Sequence, residues 1–317
     1  MNTLLAAPVS LGTETVASFP APDLHTTGTL PSIPRAEILP QTSAHPSGRY
    51  EWDGQQAIAE GYAHFIHQQW YSDLNQHLVK FAPVATAGEL VDLGCGPGTN
   101  FGLLAPAAKI YAIDISHEMI TLAKAASASH SKPAQEIICL VGSGQDLSAM
   151  LPNSVNQVYI FNALHLHADP LETLKQAYDS LLPGGQLAFN VGFTRDSVTR
   201  EYLPEMLRMI RAIREAAVER LPELEFGHEK RLMAGFTCAQ YADMARVAGF
   251  VDLQTDRREV AVPAEALIEL YNIPGFGREL LPDHPNLTAA IRSEILVNGI
   301  KNGIRRDWFY CLAQKPS

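Results

Sequence analysis

The chain has 317 residues, of which 46% are hydrophobic and 18% charged, so it can fill a buried core and is not wholly disordered. Acidic residues outnumber basic ones by 34 to 24 with no block of like charge, which argues against nucleic acid as a partner. No apolar run reaches the ~18 residues of a membrane-spanning helix. The four cysteines are far apart and form no Cys-x-x-Cys pair, which indicates ordinary thiols and predicts a soluble cytoplasmic protein.

Residues 1–48 differ in composition from the rest of the chain. They carry seven prolines among Ser, Thr and Ala, with no sustained hydrophobic period. The apolar start from Leu4 to Ala7 lacks a basic flank and stops at Pro8, so it does not resemble a signal peptide. We predict a disordered or surface-draped arm. The alternative is that part of this arm packs over a substrate pocket.

The remaining residues, 49–317, are predicted to form one α/β domain that begins with one or two amphipathic helices within 49–82. Short apolar runs then alternate with helical patterns, and such alternation predicts a doubly wound, mostly parallel sheet of Rossmann-like type. Seven strands are expected, at 89–93, 109–113, 136–141, 157–161, 186–191, 251–260 and 308–313. Helices are expected between them, at 100–105, 116–126, 170–182 and 237–248.

Two further stretches, 194–235 and 261–303, interrupt this alternation. The first contains a long helical pattern from Leu203 to Leu221, and the second is mostly helical around a turn-rich Pro274-Gly275. We predict that both insertions form a helical cap over the sheet. Aromatic residues of the helices and insertions are candidates for the walls of a pocket: Trp52, Phe65, Trp70, Tyr202, Tyr271 and Phe276.

A glycine-rich turn follows the first predicted strand. Gly94, Gly96 and Gly98 stand at alternate positions, where the absence of a Cβ allows a sharp turn and close approach of a ligand. A dinucleotide motif would need Gly or Ala at position 99, which is Thr99. An acid precedes the turn at Asp92, and Asp114 ends the second strand.

With these residues the sequence resembles the class I S-adenosylmethionine-dependent methyltransferases, especially the small-molecule branch of ubiquinone and menaquinone biosynthesis. The landmarks occur in family order: Val91 to Gly98, Ile113 to Met119, Phe161 to His165, and Gly184-Gly185. The resemblance covers residues 90–191, weakens over 236–260, and fails in the arm and the insertions. It implies S-adenosylmethionine as the cofactor and methyl transfer as the activity.

The resemblance also assigns roles to individual residues. Asp114 would accept both ribose hydroxyls of the donor, while Ile115 and Met119 would flank the adenine, with a plain core role as the alternative. Ser143 stands where the family usually has Asp, so Gly144 or Gln145 would contact the adenine instead. The full donor site implied in this way comprises Tyr71, Asp92, Gly94, Gly96, Gly98, Asp114, Ile115, Met119, Ser143, Gly144, Gln145 and Asn162.

Two histidines, His165 and His167, follow the fourth predicted strand. Ligands of parallel sheets lie beyond the carboxyl ends of the strands, so either histidine is a candidate for positioning a substrate or removing a proton. The alternative for each is a hydrogen-bonded histidine without a catalytic role. As a metal pair they lack a third ligand nearby in sequence, so no metal is predicted.

The predicted function is transfer of a methyl group to oxygen or carbon of a small apolar or aromatic metabolite. One alternative is a protein of the same fold that binds S-adenosylmethionine without methyl transfer, as a cyclase or a binding protein. A methyltransferase acting on proteins is less favoured, because the insertions suit closure over a small ligand. The expected partner is the small-molecule substrate, and the oligomeric state is left open, with a homodimer as one possibility.

Overall fold

A computed structural model describes residues 56–130, 135–226, 235–273, 276–278 and 280–317. The predicted arm at 1–48 lies outside the described residues, as does Trp52, the first of the aromatic wall candidates. No helix of the described ranges is long and apolar enough to cross a membrane.

The described residues form one seven-stranded sheet with the strand order β3-β2-β1-β4-β5-β7-β6. Strands β1 to β5 pair in parallel, while β7 is antiparallel to both β5 and β6. This arrangement confirms the predicted mostly parallel Rossmann-like sheet. The strands are β1 Glu89–Leu93, β2 Lys109–Asp114, β3 Glu136–Val141, β4 Val155–Phe161, β5 Leu181–Val191, β6 Val251–Val262 and β7 Ile304–Gln314.

The central strands are buried because their sequences are apolar on both faces, as parallel strands covered by helices require. In β1, Leu90 and Val91 are each almost inaccessible and belong to two different hydrophobic clusters. Successive side chains point to opposite faces of a strand, so the two clusters are the cores above and below the sheet. These cores stabilise the centre of the sheet, so the residues at the ends of the strands are available to form a binding site.

Nine α-helices occur in the described part of the chain, and several begin with a recognisable cap. Asp169 accepts from the backbone N–H of Glu172 at the start of the helix Pro170–Ser180, and Thr237 forms a reciprocal capping box with Gln240 before the helix Cys238–Val247. The helices are α1 Gln56–Phe65, α2 Gln69–Phe81, α3 His117–His130, α4 Leu147–Met150, α5 Pro170–Ser180, α6 Leu203–Arg220, α7 Cys238–Val247, α8 Ala264–Asn272 and α9 Ala289–Gly299.

Some sequence-based boundaries were wrong. The helix expected at 100–105 is absent, and those residues form successive turns, because Gly102 disfavours helix and Pro106 ends any continuation. Strand β5 begins at Leu181 and β7 at Ile304, several residues before the predicted starts. The apolar pattern had marked only the buried halves of these two strands.

The helices of the two insertions pack against each other and against the N-terminal helices. Gly299 at the end of α9 allows a close approach to α6, since a Cβ there would lie 2.5 Å from the Cα of Ile213. Gly61 of α1 lies against the side chain of Ile273, the residue that follows α8. Residues of α1, α2, α6, α8 and α9 belong to the hydrophobic cluster on one face of the sheet.

Candidate functional site

A cleft of about 480 Å³ lies beyond the carboxyl ends of β1, β2 and β4, where parallel sheets bind their ligands. Apolar residues form much of its wall, and two glycine-containing loops together with polar residues such as Asp114 and His167 form the rest. Its lining residues are Tyr62, Leu93, Gly94, Gly96, Ile113, Asp114, Ile115, Met119, Gly142, Ser143, Gly144, Gln145, Phe161, Ala163, Leu166, His167 and Ala168.

The turn after β1 uses glycine because of its backbone angles. Gly94, Gly96 and Gly98 have φ values of 72°, 53° and 83°, in the left-handed region that other residues rarely adopt. A Cβ at Gly94 would lie 2.5 Å from the Cβ of Ala163. At Gly96 no atom lies within 4 Å of such a Cβ, so this position faces the open space of the cleft.

Asp114 ends β2 and is held by two backbone donors. Its Oδ2 accepts from the N–H of Gly96 at 2.9 Å, and its Oδ1 accepts from the N–H of Ser116 at 3.0 Å. Burial raises the pKa of this carboxyl, and the two N–H groups oppose that shift. Each oxygen keeps a lone pair for a further donor, so the fixed carboxylate can accept a pair of neighbouring hydroxyl groups.

Asp92 lies in β1 behind the lining of the cleft. It has no accessible surface, and neither carboxyl oxygen has a hydrogen-bond partner in the described part of the chain. Burial, with a smaller contribution from Asp114, raises the pKa of Asp92 to about 8. Such a carboxyl is largely protonated at neutral pH, which removes the cost of burying its charge.

The second loop of the cleft contains Ser143, Gly144 and Gln145. The hydroxyl of Ser143 accepts from the N–H of Gln145 at 3.2 Å and so caps the 3₁₀ turn Gly144–Asp146. A Cβ at Gly144 would lie 2.6 Å from the ring of His167. Ser143, which stands where the related methyltransferases usually have Asp, therefore caps this loop. The absence of a Cβ at Gly144 allows the imidazole of His167 to pack against the loop.

Ile115 and Met119 line the cleft in different ways. Ile115 is 55% exposed and Met119 is 2% exposed. An exposed isoleucine beside a buried methionine provides an apolar surface that a flat ring can cover. Ile115 is not part of the hydrophobic core, because its side chain stays largely exposed to water and so contributes little to stability through burial.

His167 lines the cleft, and its orientation is set by α5. Its Nδ1 lies 3.1 Å from the hydroxyl of Thr173, which itself donates to the carbonyl of Asp169 at 3.0 Å. Because that hydroxyl proton is engaged, the hydroxyl oxygen accepts and Nδ1 carries the ring proton.

His165 also follows β4, but it lies outside the cleft that His167 lines. It lies in the 3₁₀ turn Leu164–Leu166, and its ring centre is 5.4 Å from that of Phe193 after β5. His165 is not among the lining residues of the cleft. The two histidines therefore face different surroundings, one beside the glycine loops and the other beside an aromatic wall.

Tyr71 and Asn162 are buried in a polar network behind the cleft. Asn162 has a positive φ of 46°, and its backbone N–H donates to Asn190 at 2.7 Å. Its side chain accepts from the N–H of Gly192 at 3.1 Å and donates to Tyr71 at 3.3 Å. The Tyr71 hydroxyl in turn lies 3.2 Å from that of Tyr62, which is the tyrosine that lines the cleft.

The structure thus brings most of the predicted site residues into one cleft. Those in the lining are Gly94, Gly96, Asp114, Ile115, Met119, Ser143, Gly144, Gln145 and His167. The residues behind it or to one side are Tyr71, Asp92, Gly98, Asn162 and His165. Sequence reasoning missed eight lining residues, most of them apolar residues with the spacing of ordinary core positions: Tyr62, Leu93, Ile113, Gly142, Phe161, Ala163, Leu166 and Ala168.

Comparison with known proteins agrees with this architecture. Residues 91–189 match the family described as a methyltransferase domain. Trans-aconitate 2-methyltransferase of Variovorax paradoxus is 29% identical over 133 residues, which are 40% of this chain and 48% of that protein. An uncharacterised 37.1 kDa protein of a Streptomyces fradiae transposon is 34% identical over 116 residues, 35% of this chain and 32% of that protein.

The chain thus spans about half or less of the length of the curated relatives it matches. Among solved structures, phosphoethanolamine N-methyltransferase 2 of Haemonchus contortus in complex with S-adenosylmethionine aligns with a TM-score of 0.51 at 16% identity. That alignment covers 87% of this chain and 61% of the other and shows a shared fold. The narrower resemblance to the quinone biosynthesis enzymes stays a prediction.

Proposed function

Because the chain carries a class I S-adenosylmethionine-dependent methyltransferase domain at residues 91–189, we propose that it methylates a small molecule at oxygen or carbon. The observation that carries this proposal is the cleft in which Asp114 and the turn at Gly94 and Gly96 meet. The methyltransferase from Variovorax paradoxus takes a small acceptor by its name, trans-aconitate, which supports a small acceptor here.

The residues of the cleft fit an adenosine-containing donor. The Asp114 carboxylate has lone pairs for the two ribose hydroxyls, and Ile115 with Met119 offers an apolar surface for the adenine. The open space in front of Gly96 leaves room for the methionine portion of the donor, whose sulfur is bonded directly to the ribose. S-adenosylmethionine, when bound, supplies a methyl group on a positively charged sulfur.

Methyl transfer is an in-line displacement. A donor held by Asp114 and the turn at Gly94 and Gly96 would give its methyl carbon to a lone pair of the acceptor, and the electron pair of the broken carbon–sulfur bond would stay on sulfur. The contribution of the chain is alignment of the two reactants, which is worth roughly 7–11 kcal/mol in well-oriented systems. Deprotonation of the acceptor increases the rate by ~10² to 10⁴-fold, and His165 and His167 are the candidates for the base that accepts the proton.

The test of the proposed function begins with calorimetry of S-adenosylhomocysteine, the demethylated product. We expect micromolar-range binding to the native chain, and Asp114→Ala should weaken it by about 1.5–3 kcal/mol, or ten- to a hundredfold, through loss of the ribose contacts. The matched control is Asp179→Ala, an exposed acid on α5, which should leave the affinity unchanged. Equal affinity in a folded Asp114→Ala variant would contradict the assignment of Asp114.

Turnover is tested with isotope-labelled S-adenosylmethionine and fractionated metabolites, followed by mass spectrometry. A labelled methyl group on a small molecule is the expected result. Donor binding without any labelled product would contradict methyl transfer and favour the cyclase or binding-protein alternative. Label found on protein would instead favour a protein substrate.

A further inference from the structure

A second group of polar residues lies on β7, away from the lining of the donor cleft. Val191 at the carboxyl end of β5 pairs with Phe309 of β7. Since the two strands are antiparallel, the residues before Phe309 extend past the end of β5. Arg306 and Trp308 therefore lie at the edge of the sheet where the parallel strands end, which is also the edge of the cleft.

Arg306 is a partly buried cation that makes no ion pair within the described residues. Its guanidinium carbon lies 4.4 Å from the ring centre of Phe193, and Nη2 donates to the hydroxyl of Ser197 at 3.0 Å. Nε is buried and has no hydrogen-bond partner among the described residues. Burial lowers the pKa of Arg306 to about 10, so the side chain is still charged at neutral pH. Partial removal of such a charge from water costs free energy unless an opposite charge compensates it.

Trp308 contributes a second donor on the same face of the strand. Residues two apart on a strand point to the same side, so Arg306 and Trp308 share a face. The indole is fully buried, and its Nε1–H has no hydrogen-bond partner in the described part of the chain. Guanidinium and indole N–H groups can only donate. Arg306 Nε and Trp308 Nε1 thus lack acceptors among the described residues, and buried donors without acceptors are uncommon in native proteins.

Phe193 connects this pair of donors to the candidate acid-base residue. The Phe193 ring lies 5.9 Å from the Trp308 ring and 5.4 Å from the His165 ring, measured between centres. Trp70 also packs against Trp308, with the ring centres 6.1 Å apart. The N–H groups of Arg306 and Trp308 thus lie among aromatic rings that extend to His165. None of these residues lines the cleft for the methyl donor.

We propose that Arg306 and Trp308 form a subsite for a carboxylate group of the methyl acceptor. This inference rests on the proposed function, because it names the class of acceptor. The planar guanidinium fork matches the two oxygens of a carboxylate, and the indole N–H supplies a further donor. The carboxylate is an anchor, and the atom that receives the methyl group is another atom of the same molecule, on the side of His165.

A monocarboxylate fits this subsite better than a phosphate monoester. One guanidinium compensates one negative charge, whereas a phosphate dianion would keep a second charge in a largely aromatic environment. The surrounding rings of Phe193, Trp308 and Trp70 favour an apolar or aromatic body attached to the carboxylate. The acceptor class is therefore an aromatic or otherwise apolar monocarboxylic acid.

The experiment compares benzoate, benzamide and phenyl phosphate as probes of the full-length chain, with and without saturating S-adenosylhomocysteine. The variants are Arg306→Gln, which removes the charge, Arg306→Lys, which keeps the charge without the fork, and Trp308→Phe, which keeps a ring without the N–H. Arg258→Gln is the matched control, since it removes the same charge from an exposed position on β6. Binding is followed by NMR titration, and the Trp308 indole N–H signal is identified by its loss in Trp308→Phe.

We expect the native chain to bind benzoate at least ~10-fold more tightly than benzamide, the size of one charge-assisted contact. Benzoate should shift the Trp308 indole signal. Arg306→Gln should remove the preference for benzoate, Arg306→Lys and Trp308→Phe should reduce it, and Arg258→Gln should retain it. Unchanged affinity for S-adenosylhomocysteine in each variant would show that the fold and the donor cleft are intact.

Three results would overturn the proposal: equal binding of benzoate and benzamide to the native chain, no benzoate binding at millimolar concentration, or full benzoate preference in folded Arg306→Gln. Tighter binding of phenyl phosphate than of benzoate would overturn the monocarboxylate class. Benzoate binding is measured without the donor as well. A chain that binds benzoate through Arg306 but not S-adenosylhomocysteine would contradict the proposed function and leave the carboxylate subsite standing.

Discussion

At the scale of single residues, the protonation of Asp92 has a consequence for stability. Its pKa in the folded chain is about 8, compared with an ordinary value of 3.8. Between about pH 4 and pH 8 the folded chain keeps a proton that the unfolded chain has released. The free energy of unfolding therefore falls as the pH rises through this window, by at most ~1.4 kcal/mol per pH unit.

Asp92→Asn should remove this dependence, because an amide does not titrate. Relative to the native chain, the variant should be similarly stable near pH 4 and gain stability as the pH approaches 8, as measured by urea unfolding across the range. Asp179→Asn, at an exposed position, serves as the control and should follow the native profile. Parallel profiles for Asp92→Asn and the native chain would show that the carboxyl is ionised when folded.

The two histidines are expected to differ in what their loss changes. His165→Ala should lower turnover by ~10²-fold or more if His165 removes a proton, with little change in donor affinity. His167→Ala should affect turnover less and donor affinity more, since its ring packs against Gly144 in the donor cleft. Steady-state kinetics and calorimetry distinguish the two effects.

The matched control for both substitutions is His67→Ala, which changes an exposed histidine between α1 and α2. Its turnover and donor affinity should remain those of the native chain. If His165→Ala keeps activity within about threefold from about pH 6 to pH 9 while chemistry limits the rate, alignment alone carries the reaction. The assignment of a base to His165 would then be wrong.

At the scale of elements, α2 is joined to the glycine-rich turn and to β5 through one buried asparagine. Asn75 donates to the side chain of Asn100 at 2.9 Å and accepts from Asn190 at 3.4 Å. All three are buried, so each needs its partner. Asn75→Ala should therefore lower the free energy of unfolding by about 1–3 kcal/mol and weaken binding of S-adenosylhomocysteine through displacement of the turn.

Urea unfolding and calorimetry measure the two effects, and Asn298→Ala on the exposed face of α9 is the control. The control should change stability by no more than about 0.5 kcal/mol. A loss of stability with unchanged donor affinity would mean that the network supports the fold without positioning the turn. No loss of stability would contradict the structural role of Asn75.

At the scale of the whole molecule, we propose a domain of residues 49–317 preceded by an arm at 1–48. The arm has too little patterned apolar surface to join the core, so deletion of residues 1–45 should shift the melting temperature by no more than about 2 °C. Calorimetric melting of the full-length and shortened chains tests this expectation. A large fall would identify the arm as an integral element, while full stability with lost turnover would favour an arm that covers the pocket.

The sequence alone determined the features that depend on local chemistry. Strand β1 was predicted at its observed bounds, because Leu90, Val91 and Leu93 form a short, mostly apolar run that ends at the glycine-rich turn. The glycines at 94, 96 and 98 were identifiable since their positive φ values exclude most other residues. Asp114 was identifiable because an acid at the end of a strand is conspicuous among apolar neighbours.

Only the tertiary structure decided which distant residues meet. It placed β7 between β5 and β6, and this placement brings Arg306 and Trp308 to Phe193, more than a hundred residues earlier in the chain. It also placed Tyr62 rather than Tyr71 in the cleft lining. Contacts of this kind depend on strand order and packing, and hydrophobic periodicity within one segment carries no information about either.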